Sequence, residues 1–233
     1  MTKVSAIVSA YYAEMYLSGR IDNLLDQSLT PEVIVICQAD SKEELIAGQY
    51  EGVKIITTDN IPPVYEAWNI GIKQASGEYI TTANSDDRLY DNALLTLADV
   101  LDKNPKYALA YGNQDIVTEI DAESKERFEW AEGGIKELIE TGCFVGPMPM
   151  WRKSLHEKYG YFLESEILRN GEEYKYLVAS DYEFWMRLAQ GGELFYHQRG
   201  KSIGKYLKSN NGREHREKNR TIWETARVRS KYR

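Results

Sequence analysis

The chain opens with an apolar run, Val4-Ser5-Ala6-Ile7-Val8-Ser9, and then places apolar residues at helical spacing from Tyr16 to Leu25. A short apolar run bounded by polar residues reads as a buried strand, and a 3.6-residue period reads as a helix with one packed face. The alternation then repeats. Glu32 to Cys37 is a second strand, and Ser41 stands where an N-cap belongs before a helix from Lys42 to Tyr50. Val53 to Thr57 is a third strand, and Pro62-Pro63 opens a helix through Val64, Ala67, Trp68, Gly71 and Ile72. Gly77 ends that helix and Glu78 to Ala83 is a fourth strand; Asn92 to Leu101 is helical up to Pro105, and Tyr107 to Tyr111 returns as a strand.

Strands alternating with helices at this spacing predict an α/β fold with a mostly parallel sheet covered on both faces. The pattern loosens afterwards. Asp121 to Glu140 reads as a charged, exposed excursion, and Pro147 to Trp151 as an edge strand or extended segment, because two prolines remove two ladder donors. Ser154 should cap a helix ending at Gly160, and Glu164 to Tyr176 should be a polar loop able to act as a lid. Ser180 is the expected N-cap of a helix with Phe184, Trp185 and Leu188 inward. Leu194 to His197 and Ser202 to Leu207 are late strands, and Arg213 to Arg233 is a polar helix with few apolar positions.

A net charge of -7, from 29 basic and 36 acidic residues, argues against nucleic acid as the default partner. Lys3 and the brief run Val4 to Ala10 are too short for a signal peptide or a membrane span, so a cytoplasmic protein is expected. Cys37 and Cys143 lack neighbours at metal spacing and read as buried thiols.

The candidate chemistry lies in loops on one edge of the expected sheet: Ser9 to Glu14, Gln38 to Ser41 and Asn84 to Arg88. The first loop has no glycine, which argues against a dinucleotide-binding fold with its G-x-G-x-x-G turn and against a P-loop. Adjacent carboxylates at Asp86-Asp87 repel each other, a tension that a divalent cation relieves; Mg²⁺ or Mn²⁺ takes one or two carboxylates and completes its shell with water and phosphate. The alternative is an ordinary turn, since Asn, Ser and Asp all favour turns.

Five segments in order carry a resemblance: Ser9-Ala10-Tyr11-Tyr12; Ala67-Trp68-Asn69-Ile70-Gly71-Ile72-Lys73-Gln74-Ala75-Ser76-Gly77-Glu78-Tyr79-Ile80; Asn84-Ser85-Asp86-Asp87-Arg88; Met150-Trp151-Arg152-Lys153-Ser154; and Asp181-Tyr182-Glu183-Phe184-Trp185-Met186-Arg187-Leu188. Together they resemble family 2 glycosyltransferases of the GT-A fold over nearly the whole chain. The resemblance implies a hexosyltransferase-like enzyme of polysaccharide biosynthesis. It would move a sugar from a nucleotide-diphosphate donor, UDP-linked ahead of others, to a glycan or lipid-linked acceptor hydroxyl with inversion. It implies Mn²⁺ or Mg²⁺ held by Asp86 and Asp87, and Asp181 as general base with Glu183 in reserve. Nucleotide contacts would come from Ser9, Ala10, Tyr11, Gln38, Asp40, Asn69 and Ser85, and sugar or acceptor contacts from Trp151, Arg152, Glu183 and Trp185. For Trp151, Arg152 and Trp185, core packing is an equal alternative.

This sequence departs from the family pattern at Ala39, where uridine-binding members carry an acid, at Trp68, where some carry an arginine, and at Asn84, where the first aspartate of the cluster is common. The expected organisation is one domain over residues 1–207, with a nucleotide-binding half (1–115) and an acceptor half (116–207), then a basic tail over 208–233. The tail is either a solvated face or a weak attachment to anionic lipid. Two rivals share the fold class: a catalytically silent sugar-binding domain, and a sugar-nucleotide nucleotidyltransferase.

Overall fold

The computed structural model describes residues 3–120, 122–123, 126–129, 131–208 and 216–233. Its first half follows the sequence pattern closely. β1 (Val4–Ala10), α1 (Leu17–Leu25), β2 (Glu32–Gln38), α2 (Lys42–Ala47), β3 (Lys54–Thr58), α3 (Val64–Gln74) and β4 (Tyr79–Thr82) form a parallel unit in the order β3-β2-β1-β4. Its strands are nearly continuous apolar runs because both faces are covered. α1 and α2 pack with α4 (Ala93–Lys103) against Val4, Ala6 and Val8, while α3 packs against Ile7, Ile34 and Ile36. Gly71 permits the close approach of α3: a Cβ there would sit 2.6 Å from Ile7 Cγ2. Ser41 Oγ caps α2 by accepting from Glu44 N–H, as expected.

The second half extends the same sheet. β5 (Arg88–Leu89), β6 (Tyr107–Val117), β7 (Glu126–Phe128), β8 (Met150–Arg152) and β11 (Leu194–Leu207) complete nine strands in the order β3-β2-β1-β4-β8-β6-β11-β5, with β7 on β6. β6 and β11 run in the same direction as β1 to β4, and β5, β7 and β8 are reversed. A two-stranded hairpin, β9 (Ser165–Ile167) and β10 (Glu173–Lys175), stands apart, and α5 (Ile135–Thr141), α6 (Leu155–Tyr159), α7 (Ser180–Gln190) and α8 (Lys218–Tyr232) finish the structure.

Several expectations are corrected here. β8 is interior, paired on both sides by β4 and β6, because Pro147 and Pro149 precede the strand and leave its ladder donors intact. The excursion before it contains α5, whose Leu138 is fully buried against α7. The polar segment 164–176 is the β9–β10 hairpin and not a loop. The two late strands are one 14-residue strand with register shifts around Gln198 to Gly204. Ser180 lies inside α7 with its Oγ buried and unpartnered, and Ala179 is the N-cap. The tail helix begins at Lys218; Arg213 to His215 lie outside the described residues. Cys37 is a buried thiol, Cys143 is only partly buried and donates from Sγ to Val145 O at 3.5 Å, and no helix among the described residues is long and apolar enough to cross a membrane.

Candidate active site

The carboxyl ends of β1, β2, β3 and β4 meet at one edge of the sheet, where α/β proteins bind ligands. Ala10, Gln38, Thr58 and Thr82 end those strands, and the loops that follow them carry Tyr11, Asp40 and the acidic cluster. A cleft of about 120 Å³ opens between the first two loops, lined by Tyr11, Tyr12, Gln38, Ser41, Lys42 and Ile61 among others. Tyr11 crosses the edge to Thr58, its hydroxyl 3.0 Å from Thr58 Oγ1, and burial raises its pKa. Ser9 is partly exposed and Ala10 fully buried, so Ala10 offers only backbone to a ligand.

Two features shape this cleft. Tyr12 (φ 56°) and Asp40 (φ 58°) are the only non-glycine residues in the left-handed region among those described, and both flank it. Glu43, 8 % exposed, accepts the Ala13 N–H at 2.7 Å and ties the first loop to α2, reinforced by the Lys42–Glu14 ion pair. Gln38 Nε2 donates to Asp59 O at 3.2 Å. Asp40 is exposed, and its N–H donates to Glu44 Oε2.

In the acidic loop the two aspartates part company. Asp87 is 1 % exposed; its Oδ1 accepts Leu207 N–H from the end of β11 and its Oδ2 accepts Asn84 Nδ2. Burial, and then the Asp86 charge, push the Asp87 carboxyl well above the usual range, against the pull of Arg20. Arg20 is fully buried below the loop, donates from Nη1 to Asp87 O, and leaves Nε and Nη2 without partners; burial lowers its pKa to about 10, so it remains charged at neutral pH. Asp86, by contrast, is partly exposed at the same edge. Arg88 holds the loop shape through Ser85 O, Asp87 O and Tyr16 O, so Ser85 is engaged through its carbonyl. Asn23 of α1 and Gln27 just beyond it secure the following chain by bonding the backbone of Leu89, Tyr90 and Leu94.

Asp181 sits in the first turn of α7, where the helix dipole favours an anion. Its Oδ1 accepts the Tyr65 hydroxyl at 3.0 Å and the Tyr182 N–H at 2.8 Å. Tyr65 is near the N-terminus of α3, the end that leaves β3 at the carboxyl edge, so Asp181 is drawn to the edge that carries Asp86. Glu183 is different: it is 1 % exposed, and Arg187, Lys231 and the Tyr232 hydroxyl all bond it. Those partners hold its pKa below the ordinary value despite burial, leaving it no place as a reserve base.

The remaining expected contacts are structural. Asn69 is buried and bonds both backbone groups of Phe162 and the Glu164 carboxylate, so its nucleotide role is corrected. Trp151 and Trp185 pack 5.4 Å apart, both buried in the core, with Trp151 Nε1 donating to His156 Nε2. Arg152 pairs with Tyr79 at the start of β4 and bonds Tyr107 O and Leu101 O; it lies at the opposite edge of the sheet because β8 runs in reverse. Sequence reasoning missed Tyr65, Glu43 and Arg20. Only a buried-face position for Arg20, aligned with Leu17, Ile21 and Leu24 on α1, gave any signal.

A divalent cation fits this arrangement only as a shared ligand. Among the described residues no group of three or more His, Cys, Asp and Glu side chains converges, whereas one partly exposed carboxylate suits an ion whose shell is completed by phosphate and water.

Comparison with known proteins agrees with the geometry. S. aureus TarS (residues 1–349, in complex with UDP) superposes with TM-score 0.73 and 20% identity, over 99% of this chain and 65% of that one. A mannosyltransferase from Pyrobaculum calidifontis, in complex with GDP-Man and Mn²⁺, gives TM-score 0.63 at 14% identity over 94% of this chain and 61% of that one. An Escherichia coli UDP-Glc:alpha-D-GlcNAc-diphosphoundecaprenol beta-1,3-glucosyltransferase, WfgD, is 22% identical over 199 residues, 82% of this chain and 71% of the relative. An uncharacterized glycosyltransferase of Rickettsia conorii is 29% identical over 126 residues, 51% of this chain, which thereby spans only 20% of that relative. The sequence profile of Glycosyl transferase family 2 matches residues 5–160, and this chain belongs to that family.

Proposed function

We propose that the chain transfers a hexosyl unit from a nucleoside-diphosphate donor to an acceptor hydroxyl, with inversion and with Asp181 as general base. The acceptor oxygen forms the new bond to the anomeric carbon as its proton passes to Asp181, and the bond to the diphosphate breaks with its electron pair leaving on phosphate. The observation that carries this reading is the pairing of one partly exposed carboxylate, Asp86, with one tethered carboxylate, Asp181, at the edge that holds the Tyr11 cleft. Asp86 would hold Mn²⁺ or Mg²⁺, which when bound supplies positive charge where the leaving diphosphate gains negative charge. Tyr11 and Gln38 would receive the base, and residues 1–115 and 116–207 would serve donor and acceptor respectively.

UDP-linked donors lead because TarS binds UDP and WfgD is named for UDP-Glc. A lipid-linked glycan is the acceptor class that WfgD's name supplies. Peripheral contact with anionic lipid would then fall to the start of α8, where Lys218, Ile222 and the open side of Trp223 follow an exposed Arg216. Liposome sedimentation of the Ile222→Ser/Trp223→Ser variant tests this, and pelleting equal to wild type rejects it.

The decisive assay incubates UDP-glucose, UDP-N-acetylglucosamine and GDP-mannose with Mn²⁺ and an N-acetylglucosaminyl diphospholipid acceptor, and follows nucleoside-diphosphate release. Conversion of a nucleotide sugar and added pyrophosphate to nucleoside triphosphate and sugar 1-phosphate would indicate a nucleotidyltransferase, and binding without turnover a silent sugar-binding domain.

A further inference from the structure

α7 presents Asp181 from its first turn; its N-cap, Ala179, has no side chain to accept from the leading amides, and Asp181 Oδ1 itself takes the Tyr182 N–H. The segment leading into α7 is held instead from α8. Glu224 Oε2 accepts Val178 N–H at 2.9 Å and Ala179 N–H at 2.8 Å, while Oε1 accepts Leu177 N–H at 3.0 Å and the Tyr174 hydroxyl at 2.8 Å. Glu224 is fully buried and paired with Arg220 at 3.4 Å. Three successive amides converging on one carboxylate form charge-assisted bonds, which are roughly twice as strong as neutral ones.

The rest of α8 is fastened to the same region. Trp223 packs on Tyr174 at 4.5 Å, Arg227 bonds Glu166 of the hairpin, Val228 is buried in the core, and Lys231 and Tyr232 hold Glu183. A polar, basic tail is therefore an integral wall of the Asp181 side of the molecule. The Glu224 charge also acts on the Tyr65 hydroxyl, the donor to Asp181, which places the three groups in one electrostatic neighbourhood.

We infer that Glu224 is a positioning residue for Asp181: by gripping the amides of Leu177 to Ala179 it fixes the start of α7, and with it the direction in which the Asp181 carboxylate meets the acceptor. This rests on the proposed role of Asp181 as base. A displacement near 1 Å at a reacting group costs about 10²-fold in rate, so a released first turn should damage turnover far more than donor binding.

The test uses the full chain with Glu224→Gln, Glu224→Asp and, as a control on the same helix, Arg227→Ala, which removes the Glu166 pair without touching the three amides. Glu224→Gln should lower kcat for nucleoside-diphosphate release by about 30-fold or more, leave the donor Kd within about twofold, and speed hydrogen exchange at Leu177 to Ala179 by at least about tenfold. Glu224→Asp, which keeps the charge, should recover part of kcat, and Arg227→Ala should lose thermal stability while keeping kcat within about threefold. The proposal is overturned if Glu224→Gln keeps its kcat, if Arg227→Ala loses as much kcat as Glu224→Gln, or if exchange at the three amides is unchanged. Should wild type release no nucleoside diphosphate from any of the three sugars, the glycosyltransferase reading fails on its own, and the exchange measurement still decides whether Glu224 grips α7.

Discussion

The hydroxyl of Tyr65 donates to Oδ1 of Asp181 at 3.0 Å, joining the second residue of α3 to the second residue of α7. This bond links α3 to the carboxylate proposed as base. Burial raises the Tyr65 pKa, so the hydroxyl remains a proton donor at every pH of interest.

Replacing Asp181 by Asn should leave the fold and donor affinity intact while slowing transfer by about 10²- to 10⁴-fold. Tyr65→Phe removes only the tether and should slow transfer by about tenfold, at a stability cost of about 1 kcal/mol. Steady-state nucleoside-diphosphate release measures both, and a Tyr65→Phe rate equal to wild type would separate the tether from catalysis.

Asp86 and Asp87 should fail in different ways. Asp87→Ala strands Arg20 and frees Leu207 N–H and Asn84, so it should unfold at lower denaturant, by about 3 kcal/mol. Asp86→Ala should change stability by less than about 0.5 kcal/mol yet abolish the dependence of donor binding on added Mn²⁺. Urea titration beside calorimetric donor binding distinguishes them.

Glu183 belongs to stability. Glu183→Gln removes the buried counter-charge of the largely covered Arg187 and should cost about 3 kcal/mol, with the rate per folded molecule preserved. A rate collapse at full thermal stability would reinstate it as a candidate base.

His156 makes the fold acid-sensitive. It is buried, receives Trp151 Nε1–H at Nε2 and lies 3.0 Å from Gly160 O at Nδ1, an arrangement satisfied by the neutral ring; burial lowers its pKa to about 4. The unfolded chain protonates near pH 6.5, so the stabilisation is complete above that pH and is lost as pH falls towards about 4, to a total of about 3 kcal/mol. Urea midpoints compared between wild type and His156→Phe from about pH 7.5 to about pH 4.5 should show the steeper loss in wild type.

What the sequence determined by itself was the repeated alternation of strand and helix up to Tyr111, the edge on which the ligand loops gather, and the two acidic segments. Each is local: a burial period within one element, or residues a few positions apart. The family resemblance rested on the same short segments. Tertiary structure decided everything that depends on distant partners. Asp87 turns inward because Leu207, 120 residues away, offers its amide; Glu183 is spent because Lys231 and Tyr232 return to it; and Arg152 sits at the far edge because β8 is inserted in reverse between β4 and β6. Hydrophobic period specifies which face of an element is buried, but not which element covers it. The tail that reads as polar and solvated is for that reason packed against the β9–β10 hairpin and the start of α7, with Glu224 as the one buried acid on its inner face.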